Sequence, residues 1–353
     1  MELGIFQKRI KNNKIYSMIV PFIMMWLIWA GNTSNADYRL YQNIFNYMRS
    51  TGDKSYGGVE IGFGRLMWFC GEIGLDYQGF IFLVSFLCLL LYTWAFFRLT
   101  KFPNIIFLLY FFFPFFLDVM QLRNALASAI VANAIPFLID KKNFKFIALV
   151  IFSSFFHTTM LFYLCLLLVN LSLKNLRSIT ICGTLCLIFS VKKILPLLLN
   201  FLPSGHKYVV YLQGNTLRTQ ILYILYFMIY IFIVEFIVRE FKQMKTIGIL
   251  RIDYNTENRT ILFAQKSSYV LLLLLPLLLI DSDFFRLFRN VFFIFNICLM
   301  TILKNGVYIK NVKYFLVNFF AVLFVLLTGI NYLYAYQFKN LVLEIFRSNI
   351  FLN

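Results

Sequence analysis

One histidine lies in a short polar stretch that interrupts an apolar part of the chain. His157 follows Ser153 and Ser154, which lie one helical turn back and can hydrogen-bond its imidazole ring. An imidazole titrates near neutral pH, so His157 can accept a proton in a reaction. The alternative is a structural histidine that stabilises a turn between two helices. No second ligand stands at helical spacing from His157, so we predict no metal site.

Three arginines have positions that suit a bound anion. Arg123 opens a helix rich in alanine, where its positive charge opposes the helix dipole and backbone N–H groups are free. Arg286 and Arg289 stand three apart and share one side of a later helix. Because guanidinium groups bind phosphate in a bidentate manner, these arginines predict a pyrophosphate site. The alternatives are snorkelling of Arg123 to a membrane interface, and pairing of the later arginines with Asp281 and Asp283.

The elements that hold these residues must be membrane helices. Of the 353 residues, 61% are hydrophobic and 14% are charged, whereas a soluble domain is about half apolar and about one quarter charged. A crossing needs about 20 apolar residues, so the chain is filled by crossings and has no room for a separate soluble domain. We predict one all-α transmembrane domain over residues 1–353, a polytopic bundle of about eleven helices, with a range of nine to twelve.

Apolar stretches bounded by charges give the positions of these helices. The stretch 144–172 is long for one helix and short for two, and we predict two short helices that meet near His157. With this pair, eleven crossings put the N-terminus inside and the C-terminus outside. The other predicted crossings are 15–31, 79–98, 102–117, 121–139, 178–191, 219–238, 261–280, 284–303 and 314–336.

The formal net charge of +18 is explained by membrane orientation. Lysines and arginines punctuate the apolar stretches, as cytoplasmic loops require, so we predict no nucleic-acid partner. The six cysteines form no CxxC pair, so no zinc site or disulfide framework is indicated. Two external segments remain, 32–78 and 192–218. In the first, an amphipathic helix between Gly57 and Gly74 should lie in the outer interface or re-enter the protein.

The residues suited to chemistry gather in the predicted outer half and form a series of motifs. These motifs are Asp37-Tyr38 with Tyr41, Glu60-x-Gly62-Phe63, Arg123-Asn124-Ala125-Leu126-Ala127, Lys141-Lys142 with Phe155-Phe156-His157-Thr158, and Arg286 or Arg289. Their pattern resembles the EpsG family, whose members look like bacterial Wzy-type polysaccharide polymerases. The resemblance spans roughly residues 30 to 330, and its most specific part is the arginine-alanine helix followed by two lysines and the histidine.

The resemblance implies a glycosyltransferase of the bacterial cytoplasmic membrane, with an active site that faces outside. Such an enzyme transfers an undecaprenyl-pyrophosphate-linked glycan onto a lipid-linked repeat unit, for capsule, exopolysaccharide or O-antigen. It implies no cofactor or metal, because arginines can take the place of a cation, and it adds a flippase and a chain-length regulator as partners. The resemblance implies that Arg123 binds the pyrophosphate together with Arg286 or Arg289. It implies a general base at His157, Glu60 or Asp37. The residues implied to contact the sugars are Tyr38, Tyr41 and Asn124.

Two other functions remain open from the residues alone. A membrane acyltransferase that modifies the same glycans would also place histidine and arginine in the bundle. It needs a cytoplasmic route for its acyl donor, which the short basic loops do not offer. A flippase for lipid-linked oligosaccharides, or another transporter, would carry charged residues through the full depth of the bundle, whereas here they cluster on one side.

Overall fold

The computed structural model describes residues 18–54, 58–200, 217–246, 254–305, 315, 319, 321–326, 328–330 and 339–352. Side chains at 191–200, 217–220, 244–246, 254–257, 302, 304–305 and 339–340 are outside this description. The secondary-structure elements of the described residues are all helices. Within these residues there is also one isolated antiparallel β-bridge, between Asn32 and Asn349. The prediction of an all-α membrane bundle is confirmed.

The described helices divide into two compact units. The first contains residues of Met1–Leu161 and Val322–Asn353, and the second contains residues of Phe162–Ala321. In the first unit the helices are α1 (Met18–Ala30), α2 (Tyr38–Thr51), α3 (Ile61–Glu72), α4 (Tyr77–Leu99), α5 (Pro103–Phe112), α6 (Phe115–Met120), α7 (Leu122–Ile139) and α8 (Asn143–Ser154). The second unit contains α9 (Leu173–Asn200), α10 (Leu217–Thr246), α11 (Tyr254–Val270), α12 (Leu275–Leu278), α13 (Phe285–Arg289) and α14 (Phe292–Asn305).

Four described helical segments are long and apolar enough to cross a membrane. They are Tyr77–Leu99, Leu122–Ile139, Ile221–Gln243 and Asn258–Leu278, and a pair bent by 41°, Ser282–Arg289 with Phe292–Thr301, adds a fifth if it is one span. Other predicted crossings correspond to apolar helices of 10–17 residues, such as α1 and α5. The number of about eleven crossings therefore stays a prediction, and residues 15–17 and most of 314–336 lie outside the described residues.

Helix α7 lies at the centre of the first unit. In the most apolar 18-residue stretch of α7, 83% of the residues are buried, against 50% in the corresponding stretch of α4. Its alanines have no exposed surface, because small side chains let neighbouring helices approach closely. The Tyr92 hydroxyl of α4 lies 2.6 Å from the Ser128 hydroxyl of α7, and Asn133 donates to the Leu91 carbonyl. A buried, hydrogen-bonded α7 gives Arg123, in its first turn, a fixed position.

The stretch 144–172 forms two short helices, as predicted. Helix α8 ends at Ser154, and a 3₁₀ helix runs from Thr158 to Asn170, with His157 in the turn between them. A 3₁₀ helix rises about 2 Å per residue, so these 13 residues cover about 26 Å rather than the roughly 20 Å of an α-helix. Its buried positions recur every third residue, at Met160, Tyr163, Leu166 and Val169. This spacing matches three residues per turn.

The predicted external segments differ from the structure in two respects. Within 32–78 the predicted amphipathic helix is α3, and α2 is a second helix that the sequence analysis missed. On α3, Phe63 and Cys70 are buried and Arg65 is exposed, and Ile73, the residue after the helix, is also exposed. In the predicted loop 192–218, residues 192–200 continue α9 and Leu217 begins α10, while 201–216 lie outside the described residues.

Candidate active site

The start of α3 is attached to the turn that carries His157. The backbone N–H of Gly62 donates to the carbonyl of Phe155 at 2.8 Å. A Cβ atom at position 62 would lie 2.7 Å from that carbonyl oxygen, so glycine permits the close approach. Glu60 precedes α3 with an extended backbone, φ −64° and ψ 143°, and its side chain reaches the turn. This contact fixes the distance between Glu60 and His157.

The carboxylate of Glu60 bridges Arg123 and His157. Its Oε1 atom lies 2.8 Å from Nδ1 of His157, and its Oε2 atom accepts from Nη1 of Arg123 at 2.6 Å. The three side chains are partly buried, with 14% of Glu60, 11% of His157 and 24% of Arg123 exposed. The backbone N–H of Thr158 lies 3.4 Å from Oε1. Residues 60, 123 and 157 therefore form one cluster, which we call the Glu60 cluster.

The charge of Glu60 is stabilised by its partners. Burial alone would raise the pKa of its carboxyl group, but the hydrogen bond with His157 and the positive charge of Arg123 outweigh burial and lower that pKa to about 2. Glu60 is therefore a carboxylate at any physiological pH. A group with such a low pKa is a poor proton acceptor, so Glu60 is suited to orienting His157 rather than to acting as the base.

The contact with Glu60 decides which ring nitrogen of His157 can take a proton. A carboxylate can only accept a hydrogen bond, so Glu60 assigns the proton of a neutral ring to Nδ1 and leaves the lone pair on Nε2. The His157 side chain is buried, and its Nε2 atom has no hydrogen-bond partner among the described residues. Carboxylates orient the catalytic histidine of hydrolytic triads in the same way. The arrangement suits a general base.

Arg123 is held by three groups and keeps part of its surface exposed. Its Nη1 atom also donates to the carbonyl of Gly58 at 3.2 Å, and its guanidinium carbon lies 5.2 Å from the centre of the Tyr41 ring. Burial raises the pKa of Tyr41 to about 12, although the nearby charge of Arg123 opposes this shift. The bonds to Glu60 and Gly58 use the same nitrogen atom and 24% of the side chain is exposed, so the exposed part of the guanidinium can meet an anion.

The remaining predicted site residues of the first unit lie at the start of α2 and in α7. Asp37 lies just before α2 and lines a small cleft of about 10 Å³ with Asn35 and Tyr41, room for about one water molecule. Tyr38 is buried against Tyr77 and donates its hydroxyl hydrogen to Gln78 at 2.9 Å. Asn124 is 2% exposed within α7. The structure thus brings Tyr41 to the Glu60 cluster and gives Tyr38 partners of its own.

Arg286 and Arg289 lie in the second unit and differ in their surroundings. Arg286 donates through Nη2 to the Asp283 carboxylate at 2.9 Å and through Nε to the Asp283 carbonyl at 2.8 Å. Its pairing with Asp283, left open above, is therefore present. Arg289 is 1% exposed. Helix α13 is five residues long and ends at Arg289, so the two arginines do not share one long exposed helix face.

The second unit contains a polar cluster that the sequence motifs above do not indicate. Glu235 of α10 accepts from Nη2 of Arg177 at 2.7 Å and from Nε2 of Gln265 at 3.0 and 2.9 Å. The Arg177 guanidinium also lies over the Tyr269 ring, 4.8 Å from its centre. By the charge pattern alone, Arg177 is one of the basic residues that indicate membrane orientation. The available signal was Glu235, a carboxylate inside an apolar stretch.

No group of three potential metal ligands converges within the described part of the chain. Comparison with known proteins gives one result that bears on function. No curated protein and no solved structure matches the chain significantly. The model of the EpsG family matches residues 15–342, nearly the whole length. The Glu60 cluster lies within this match, and the chain belongs to the EpsG family.

Proposed function

We propose that the protein is a polysaccharide polymerase that transfers a glycan from undecaprenyl pyrophosphate to a lipid-linked repeat unit. EpsG family membership points to polysaccharide polymerisation in general. The observation that carries the finer proposal is the Glu60 carboxylate, which joins a candidate base to an arginine suited to phosphate. The reaction takes place at the outer face of the bacterial cytoplasmic membrane. Its product is a capsule, exopolysaccharide or O-antigen chain, and a flippase and a chain-length regulator act with it.

The proposed step is a displacement at the anomeric carbon of the donor. Nε2 of His157 takes the proton of the acceptor hydroxyl as that oxygen forms its bond to the anomeric carbon. The bond between this carbon and the pyrophosphate oxygen breaks, and the pyrophosphate leaves with the electron pair. Glu60 stabilises the imidazolium that results, because its negative charge lies 2.8 Å from Nδ1.

Arg123 stabilises the leaving pyrophosphate. Negative charge grows on the bridging oxygen during the step, and a positioned guanidinium lowers the free energy of that state. Of the later arginines, Arg286 is the better candidate for a phosphate ligand, since its side chain is 24% exposed and Arg289 is fully buried. Asp37 remains the alternative base, while Tyr38, Tyr41 and Asn124 remain candidates for contacts with the sugars.

The decisive experiment is deletion of the gene followed by analysis of the lipid-linked glycans. A strain without the polymerase accumulates single repeat units on the outer face, and complementation with the wild-type gene restores long chains. Unchanged chain length in the deletion strain would refute the proposal. Repeat units confined to the cytoplasmic face would identify a flippase, and full-length chains that lack acyl groups would identify an acyltransferase.

A further inference from the structure

A polar cleft lies at the start of α2 in the first unit, and we call it the Arg39 cleft. Its volume is about 260 Å³, somewhat below the roughly 300–1,000 Å³ of clefts that hold drug-sized ligands. The cleft therefore has room for a ligand the size of one sugar ring. Its polar lining residues are Thr33, Ser34, Asn35, Tyr38, Arg39 and Gln42.

Part of the wall of the Arg39 cleft is fixed by hydrogen bonds to residues outside it. The Tyr38 hydroxyl donates to Oε1 of Gln78 at 2.9 Å. The Thr33 hydroxyl donates to the Ser348 carbonyl at 2.6 Å. These bonds hold the wall in place before a ligand enters, and a wall that is already formed lowers the entropic cost of binding.

Other polar side chains of the lining are available to a ligand. Within the described residues, the side chains of Ser34, Arg39 and Gln42 have no hydrogen-bond or ionic partner. Arg39 is exposed, and Gln42 stands three residues later on the same side of α2. A guanidinium donates hydrogen bonds, whereas an amide or a hydroxyl group both donates and accepts them. This combination matches the hydroxyl groups of a sugar, each of which can also donate and accept.

A line of neighbouring residues connects the Arg39 cleft to the Glu60 cluster. Asn35 lines both the Arg39 cleft and the small cleft beside Asp37. Tyr41 also lines that small cleft, and its ring centre lies 5.2 Å from the Arg123 guanidinium carbon. All of these residues belong to the first unit. A glycan that reacts at the Glu60 cluster can therefore extend towards the Arg39 cleft with another of its sugars.

We propose that the Arg39 cleft binds a non-reacting sugar of the glycan substrate, with Ser34, Arg39 and Gln42 as the residues that hydrogen-bond its hydroxyl groups. The inference rests on the proposed function for the identity of the glycan. The ligand is a sugar rather than a lipid chain because hydroxyl, amide and guanidinium groups make up most of the lining. It is a sugar rather than the pyrophosphate because Arg39 is the one charged residue in that lining.

Initial rates of chain extension by the full-length protein in detergent test the Arg39 cleft. The probe is the lipid-linked repeat unit purified from a strain that lacks the polymerase. In Arg39→Ala/Gln42→Ala we expect KM to rise about tenfold while kcat stays within about twofold. The reason is that contacts with a non-reacting sugar stabilise the bound substrate and the transition state equally.

The matched control is Asn46→Ala/Arg49→Ala. This variant also removes an amide and a guanidinium three residues apart, from the later part of α2 and outside the lining of the cleft. It should retain the wild-type KM and kcat within about twofold, as surface substitutions do. If Arg39→Ala/Gln42→Ala does not elute as a folded species, Arg39→Ala alone carries the same test, because Arg39 is exposed.

Saturation-transfer NMR measures binding without the reaction. The probe is the repeat-unit oligosaccharide released from its lipid by mild acid. The wild type and the control should show magnetisation transfer to the sugar protons with equal affinity. Arg39→Ala/Gln42→Ala should bind the oligosaccharide about tenfold more weakly.

The outcomes separate this inference from the proposed function. A wild type that extends chains, with an unchanged KM and oligosaccharide affinity in the cleft variant, would overturn the inference and leave the proposed function standing. An equal rise of KM in the control, or a loss of kcat at constant KM, would also overturn it. A wild type that binds the oligosaccharide through Arg39 and Gln42 but never extends chains would overturn the proposed function alone. A wild type that does neither would overturn both.

Discussion

At the scale of single residues, Glu60 is the centre of the candidate site, although its own chemistry is limited. Its low pKa makes it a permanent anion, and its two oxygens serve His157 and Arg123 separately. One carboxylate thus orients the proposed base and holds the proposed phosphate ligand. The sequence motifs include all three residues, but they indicate Glu60 as a possible base rather than as the link between Arg123 and His157.

Substitution of Glu60 tests this link. In Glu60→Gln the side chain keeps its shape and loses its charge, so we expect the polymerisation rate to fall by about 10²-fold to 10⁴-fold, the usual contribution of acid–base catalysis. His157→Gln should lose a similar factor, and the double variant should lose little more, because the two residues act as one unit. The assay is the initial rate of chain extension by purified protein with lipid-linked repeat units.

Glu72→Gln is the control, because it removes an exposed carboxylate from the other end of α3. It should retain the wild-type rate within about twofold, as surface substitutions do. A wild-type rate in Glu60→Gln would remove the carboxylate from the mechanism. Additive losses in the double variant would show that His157 and Glu60 act independently.

The pKa of Glu60 also predicts how stability depends on pH. In the folded protein this pKa is about 2, below the ordinary value of 4.5. Ionised Glu60 therefore favours the folded state above pH 4.5, and its contribution is lost as the pH falls from 4.5 towards 2. We expect the difference in Tm between wild type and Glu60→Gln to be largest near neutral pH and to shrink in this acidic range. A difference that is constant with pH would contradict the assigned pairing.

At the scale of elements, the site depends on two helices that meet without a side chain between them. Gly62 of α3 packs directly on the carbonyl of Phe155 in the turn after α8. The sequence predicted both the amphipathic helix and the interruption near His157, because each is a local pattern. It did not predict that they touch, since the contact joins residues 93 positions apart.

Gly62→Ala tests this contact. The added Cβ would lie 2.7 Å from the Phe155 carbonyl oxygen and 2.9 Å from the carbonyl carbon, so α3 must move away from the turn. We expect a loss of about 1–3 kcal/mol in the free energy of unfolding, together with a loss of activity as Glu60 leaves His157. Gly64→Ala on the same helix is the control.

At position 64 the nearest atom to an added Cβ is the flexible end of Met48 at 3.6 Å, an ordinary contact. Because alanine favours helix more than glycine does, Gly64→Ala should leave stability equal or higher by up to about 1 kcal/mol. Thermal unfolding and the extension assay report both effects. Equal behaviour of the two variants would show that the approach at Gly62 is not tight.

At the scale of the whole molecule, the two ends of the first unit are joined. Asn32 and Asn349 form an antiparallel bridge, the Thr33 N–H donates to the Ser348 carbonyl, and the Ile350 N–H donates to the Gly31 carbonyl. Residues that follow α1 therefore lie beside the end of the chain, and both are on one face of the membrane. This pairing requires an even number of crossings between residue 35 and residue 344.

Thiol labelling tests this topology. In a background without native cysteines, Ala36→Cys and Leu352→Cys should react with a membrane-impermeant reagent from the same side, because their neighbours are paired. Lys142→Cys, at the other end of α7 from Arg123, should react from the opposite side. The predicted orientation assigns the first two positions to the outside of intact cells. Labelling of Ala36→Cys and Leu352→Cys from different sides would contradict the bridge.

The sequence by itself determined the class of the protein, the alanine-rich helix that begins near Arg123, the break near His157 and the set of polar residues from which a site must be built. Composition, small-residue content and helical spacing are local properties, so they can be read without knowing which helices meet. Only the tertiary structure decided that Glu60 joins Arg123 and His157, which stand 63 and 97 residues away. It also decided that Arg289 is buried while Arg286 remains partly exposed. Such contacts depend on which surfaces close against each other after long stretches of chain, and no fixed spacing in a sequence encodes that choice.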